Sequence, residues 1–194
     1  MARTPRKLID GLVALLILTL AVVGFARPAQ AYPPGQSLTV NVKSFTNGEN
    51  GNRVEFIVRH AKPGTSVRMN FEDEQKSKNA GSNGIAVFSF VAPTSGVHIA
   101  AAYNRSERAS TTLYVADASL LRARSAAGSS NYVTVSGVRA GAVVSAKIGD
   151  KSYSGIVGSN NRVVLTVKVP AKGAYSVRVF VGTKFLETLN GRSL

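Results

Sequence analysis

The sequence predicts an all-β protein made of two tandem sandwiches that follow a signal peptide. Three observations carry this. The stretch GSNGIAVFSFVAPTSG, Gly81–Gly96, returns 77 positions later as GSNNRVVLTVKVPAKG, Gly158–Gly173. Apolar and polar residues alternate with the two-residue period of half-buried strands. Turn residues interrupt those runs every 8 to 12 residues or so, and no amphipathic helix stands between them.

The first 31 residues stand apart from the fold. Arg3, Arg6 and Lys7 precede an apolar run from Leu12 to Phe25, and Ala29-Gln30-Ala31 places small residues where a signal peptidase reads. At about 14 residues the run is short for roughly 30 Å of hydrocarbon. Cleavage after Ala31 is therefore expected, with a retained anchor as the alternative. Residues 32–194 contain no further stretch of spanning length, so a secreted, extracellular product is expected.

In the first copy SLTVNV, RVEFIV, SVRMNF and STTLYV read as strands, and Ala86, Phe88, Phe90 and Ala92 form the inward set of another. In the second, SLLRA, YVTVS, VVSAKI, KSYSG and KFLETL read the same way. Val163, Leu165, Val167 and Val169 face one side of their strand, with Arg162, Thr166 and Lys168 on the other. Tyr175, Val177 and Val179 alternate against Ser176 and Arg178. Some seven strands per copy close one sandwich each. The boundary is expected near Val115–Ala118, giving one sandwich over 32–115 and one over 116–194. The first copy reads about five residues longer before its second strand, where TNGENGN forms an exposed turn.

Glycine, asparagine and proline recur at turns: Gly64 with Gly141, Gly81-Ser82-Asn83 with Gly158-Ser159-Asn160, Pro93 with Pro170, Gly96 with Gly173. Such residues fix backbone shape, so the same path is drawn twice. The first copy has Pro63-Gly64-Thr65-Ser66-Val67, Asn83-Gly84, Pro93 and Gly96-Val97-His98. The second has Ala140-Gly141-Ala142-Val143-Val144, Asn160-Asn161, Pro170 and Gly173-Ala174-Tyr175. This pattern resembles the tandem bacterial immunoglobulin-like modules of secreted actinobacterial proteins. It implies an immunoglobulin-like sandwich in an extracellular setting, and it carries no active site with it. The second copy lacks the first proline and the second turn glycine, though asparagine tolerates left-handed geometry nearly as well.

The stock for chemistry is thin. There is no cysteine, so neither a disulfide framework nor a lipid attachment site exists. His60 beside Lys62 and Pro63 reads as a solvated turn residue. His98 aligns with Tyr175 and reads as a strand anchor. Glu72-Asp73-Glu74 reads as a charged loop neutralised by Lys76 and Lys78, with a calcium site as the less favoured reading because successive strand carboxylates point to opposite faces. An enzyme is not expected, nor a cofactor, metal or nucleic-acid reader.

Charge is uneven. The first 31 residues hold four basic side chains and one acid, so residues 32–194 hold 20 and 9, net +11. Residues 32–115 carry +3 and residues 116–194 carry +8. The second copy is thus the half suited to anionic envelope polymers, the other reading being a generally basic secreted surface without a partner. Arg162 and Lys168 on one strand and Arg178 on the next form a basic strip if those strands are neighbours. With His98 inward, Val97, Ile99 and Tyr103 share an exposed apolar stripe suited to a protein partner. The expected function is a non-enzymatic binding or spacer protein at the cell surface. The alternative is a structural subunit that assembles through that stripe or an edge strand, with itself or a larger surface protein.

Overall fold

The computed structural model describes residues 35–46 and 52–194. The expected signal peptide and most of the TNGENGN turn lie outside the described residues. Among these residues no helix is long and apolar enough to cross a membrane.

Seven strands form the first half: β1 (Thr39–Thr46), β2 (Arg53–Arg59), β3 (Ser66–Phe71), β4 (Glu74–Asn79), β5 (Ala86–Val91), β6 (Gly96–Asn104) and β7 (Glu107–Val115). Eight follow: β8 (Asp117–Leu120), β9 (Arg124–Ser125), β10 (Ser130–Ser136), β11 (Val143–Ile148), β12 (Lys151–Ile156), β13 (Arg162–Lys168), β14 (Gly173–Val181) and β15 (Lys184–Ser193). The sheet orders are β1-β2-β5 with β4-β3-β6-β7, and β13-β10-β8 with β12-β11-β14-β15-β9. Each pair is the Greek-key order of an immunoglobulin-like sandwich. In the second, β8 leaves the smaller sheet after four residues and the chain re-enters the larger one as β9, parallel to β15.

Alternation along each strand decides which residues fill the space between sheets. Val54, Phe56 and Val58 from one sheet meet Val67, Met69 and Phe71 from the other, and all six are buried. Phe56, Phe71 and Phe90 pack with ring centroids 4.9 to 6.0 Å apart at tilted or edge-on angles, the favoured arrangement for rings. The second core is built from valines, Leu165 and Ile148, closed at one end by Tyr175. At about 1.5–3 kcal/mol for each buried large apolar side chain, these two clusters hold the fold without disulfides.

The repeated turns do the same work in both copies. Asn83 Oδ1 accepts the Ile85 N–H at 3.1 Å, and Asn160 Oδ1 accepts the Arg162 N–H at 3.2 Å. Gly84 and Asn161 take left-handed φ values of 70° and 57° at equivalent positions, so asparagine replaces glycine there as expected. One expectation changes. Eighteen residues separate Val40 from its partner Val58, and seventeen separate Ala118 from Val135. The first copy is one residue longer here rather than five, because the second copy uses the matching stretch for β9. The strand β4 carried no sequence signal, since all six of its residues are exposed on a sheet edge and show no alternation.

Candidate functional site

Cross-strand partners stand on the same side of a sheet, so pairing register shows which residues share an outer face. On the outer face of β4-β3-β6-β7, Arg68, Tyr103 and Arg108 form one row across three strands. The Arg68 guanidinium lies 4.9 Å from the Tyr103 ring centroid and that of Arg108 lies 5.6 Å away. The corresponding row in the second half is Ser145, Phe180 and Phe185, each 77 positions later. The central position keeps an aromatic ring. The cations have moved one row along, to Lys147 on β11 and Arg178 on β14.

In the second row Phe180 and Phe185 meet edge to face, with centroids 5.7 Å apart. Lys147 Nζ stands 5.4 Å from the Phe180 centroid. The Arg178 guanidinium stands 5.5 Å from Phe180 and 5.6 Å from Phe185. A desolvated cation over a ring gains about 2 kcal/mol and an exposed one about 0.5–1 kcal/mol, so these contacts orient the side chains more than they stabilise the fold. Among the described residues none of these four cations makes a side-chain hydrogen bond or an ion pair.

Among the described residues, no outward-facing strand position of either of these sheets carries a carboxylate. Glu107 pairs with buried Asn104 and Glu187 with buried Val179, which turns both acids to the inner side. Glu187 there accepts the Ala118 N–H at 2.7 Å. On the other sheet of the first sandwich, Glu55 faces outward and is held by Lys43 at 2.9 Å and by Ser44. Those hydrogen bonds, with the Lys43 charge, lower its carboxyl below the ordinary pKa.

The basic strip expected from Arg162, Lys168 and Arg178 does not form. β13 lies in the smaller sheet and β14 in the larger, so Arg178 stands on a different face from the other two. Alternation shows which side of a strand a residue takes, but consecutive strands of a sandwich change sheets. Arg162 and Lys168 share the outer face of β13, with Arg162 Nη2 near Thr134 Oγ1 at 3.5 Å.

Val97, Ile99 and Tyr103 all face outward on β6. Val97 is 39% exposed and Ile99 65%, whereas Tyr103 is half-buried beneath its two arginines. The equivalent positions in the second copy are Ala174 and Ser176, so the apolar part of the stripe belongs to the first copy alone. His98 turns inward: Nε2–H donates to the Ser95 carbonyl at 2.8 Å, and Nδ1 faces Glu72 Oε1 at 2.7 Å. His60 Nδ1 lies 3.2 Å from the Ser37 carbonyl. The three neighbouring acids do not converge, since Glu72 engages His98 and Glu74 engages Lys76 at 3.1 Å. Among the described residues no group of three or more candidate metal ligands occurs.

Arg68, Arg108, Phe180 and Phe185 were not singled out by sequence reasoning. The signal was present in the repeat: carrying the 77-residue shift past Gly96 superimposes Tyr103 on Phe180 and Arg108 on Phe185.

No family model matches the chain, and no curated protein matches it. Several solved structures are similar to this chain at low sequence identity. A glycosyl hydrolase family 2 member from Bacteroides cellulosilyticus is 16% identical with a TM-score of 0.34, over 76% of this chain and 24% of that one. Invasin, a bacterial integrin-binding protein, is 15% identical with a TM-score of 0.36, over 81% of this chain and 39% of that one. The D0-D1 domain of intimin is 12% identical with a TM-score of 0.35, over 81% of this chain and 98% of that one. This chain thus spans well under half the length of the first two.

Proposed function

We propose that this chain is a secreted, non-enzymatic binding and spacer protein of the cell surface, with a signal peptide over 1–31 and two modules over 32–115 and 116–194. It retains an anionic envelope polymer through the outer faces of its sheets. One observation carries the reading: among the described residues, the outward-facing strand positions of the larger sheet of each module present cations and no carboxylate. The net +8 of residues 116–194 adds to it, since an uninterrupted positive field attracts and holds polyanions. Arg178 belongs to that face. Arg162 and Lys168 offer a second, purely electrostatic contact on the opposite sheet. Both histidines are tied to neighbouring oxygens, which suits structural roles better than catalytic ones.

The test is retention of the secreted chain on isolated cell walls. It should bind at about 0.05 M salt and elute by about 0.5 M, because screening shortens the reach of exposed charges from about 14 Å to about 4 Å. No retention at the lower salt overturns the reading.

A second reading is favoured by Ile99, which is 65% exposed beside Val97. There the protein is a structural subunit whose Val97–Ile99–Tyr103 face meets another copy or a larger surface protein. Oligomers that persist at high salt in size-exclusion chromatography and disappear in Ile99→Ser would support it.

A further inference from the structure

We infer that the Arg68–Tyr103–Arg108 row and the Lys147–Arg178–Phe180–Phe185 cluster are two equivalent subsites for one acidic polysaccharide chain whose sugars carry carboxylates. The inference rests on the polyanion-binding reading above and specifies its ligand and its contacts.

The two sites occupy the same three strands of the fold, β3-β6-β7 and β11-β14-β15, and their central rings coincide under the 77-residue shift. The cations do not coincide: one copy stacks arginines from the flanks of the row, and the other brings Lys147 and Arg178 from the row beside it. A ring with two cations has thus been retained while the residues that provide them differ. Core packing does not demand this, since all these side chains lie on the outer faces.

A guanidinium stacked on a ring keeps its N–H edge free, and that edge matches a carboxylate with two parallel hydrogen bonds. Among the described residues no carboxylate engages these cations, which leaves their donors open to an outside acceptor. Ser110, Ser145 and Thr188 stand in the same or adjacent rows and suit sugar hydroxyls. Phe185 is 53% exposed and offers an apolar surface to the C–H face of a sugar ring, which a polyphosphate lacks. Both faces are open sheet, so an extended chain fits them better than a small molecule.

The test uses the full secreted chain and polygalacturonate, with inorganic polyphosphate and oligothymidylate of matched charge as comparisons. Arg68→Gln/Arg108→Gln and Lys147→Gln/Arg178→Gln should each weaken polygalacturonate binding by about tenfold, and the quadruple variant by about a hundredfold. Lys78→Gln/Lys151→Gln removes the same charge from positions paired with buried Val67 and buried Ile148, on the inner side of each sheet, and should change binding by no more than about twofold. Phe185→Ser, at unchanged charge, should weaken binding by about threefold or more. Circular dichroism confirms that each variant is folded. Equal losses in the Lys78/Lys151 variant and the site variants overturn the inference and leave the broader reading standing. Polyphosphate or oligothymidylate binding as tightly as polygalacturonate, with Phe185→Ser silent, overturns the sugar assignment. A parent chain that binds no polyanion at about 0.05 M salt, where charge contacts are weakly screened, overturns the broader reading itself.

Discussion

Gly137 lies directly against the carbonyl of Val115. A Cβ at this glycine would come within 2.0 Å of that oxygen and 2.9 Å of the Gly96 nitrogen, and its φ is +68°. The turn after β10 therefore touches the last residue of β7, one core cluster against the end of the other, beside the single residue Ala116 that joins β7 to β8.

Gly137→Ala is expected to destabilise strongly, because backbone must move in addition to the left-handed strain. Gly141→Ala provides the control. Its φ is +83° with nothing near the added carbon, so it carries only the left-handed cost of about 1–2 kcal/mol. Calorimetry should place Gly137→Ala clearly below Gly141→Ala. Equal melting temperatures would show that the contact is not maintained in solution.

A second close approach tests the core of the second sandwich. A Cβ at Gly191 would fall 2.4 Å from Cζ of Tyr175 and 2.6 Å from its hydroxyl oxygen. Gly191→Ala must displace a buried ring, an overpacking cost of about 1–3 kcal/mol. Tyr175→Phe removes only the bond that Asn131 Nδ2 donates to the hydroxyl at 3.2 Å. Asn131 Nδ2 still donates to the Arg122 carbonyl at 2.8 Å, so that loss should be near 1 kcal/mol. Urea denaturation should rank the two in this order.

Turn chemistry made most of this fold legible, because Asn83 and Asn160 or Gly64 and Gly141 constrain backbone wherever they stand. Alternation then named the inward residues, as with Phe88 and Phe90. It could not say which sheet a strand joins, so a strip of Arg178 with Arg162 and Lys168 depended on β13 and β14 being neighbours, which they are not. Pairing between strands is a long-range property that one strand's pattern does not encode. The rings and cations of the candidate site were hidden for a related reason. Tyr103 reads as part of an apolar stripe and Phe180 and Phe185 are not singled out, and only register sets each beside its cations.

Core and surface apolar residues of the first sandwich should respond in opposite ways. Phe56 is fully buried and touches both Phe71 and Phe90, so Phe56→Ala should cost about 3–5 kcal/mol. Ile99→Ser should stay within about 0.5 kcal/mol of the parent, as an exposed site does. A large loss in Ile99→Ser, measured on dilute protein by thermal melting, would mean that this face is covered in solution.

The pH dependence near Glu55 has a definite sign. Its folded pKa lies below the ordinary 4.5, held down first by the hydrogen bond from Lys43. Its contribution is therefore present above about 4.5 and is lost as pH falls through the lower folded value. Glu55→Gln should flatten the stability profile in that acid window and leave it unchanged near pH 7 in shape. An unaltered acid limb in Glu55→Gln melting curves would show that Lys43 and Glu55 are not paired in solution.

Asn70 is a site where stability can be gained without loss of binding. It stands on β3 in the row next to Arg68 and Tyr103, opposite Ala101. Its Oδ1 is buried and accepts no hydrogen bond from the described residues. An unmet buried acceptor costs about 1–3 kcal/mol, and valine suits a strand of this kind. Asn70→Val should thus raise the melting temperature. The cations of the row do not depend on Asn70, so polygalacturonate binding should be unchanged. A drop in stability would mean that solvent satisfies this oxygen in the folded protein. A drop in binding at unchanged stability would make Asn70 itself a contact for the polymer.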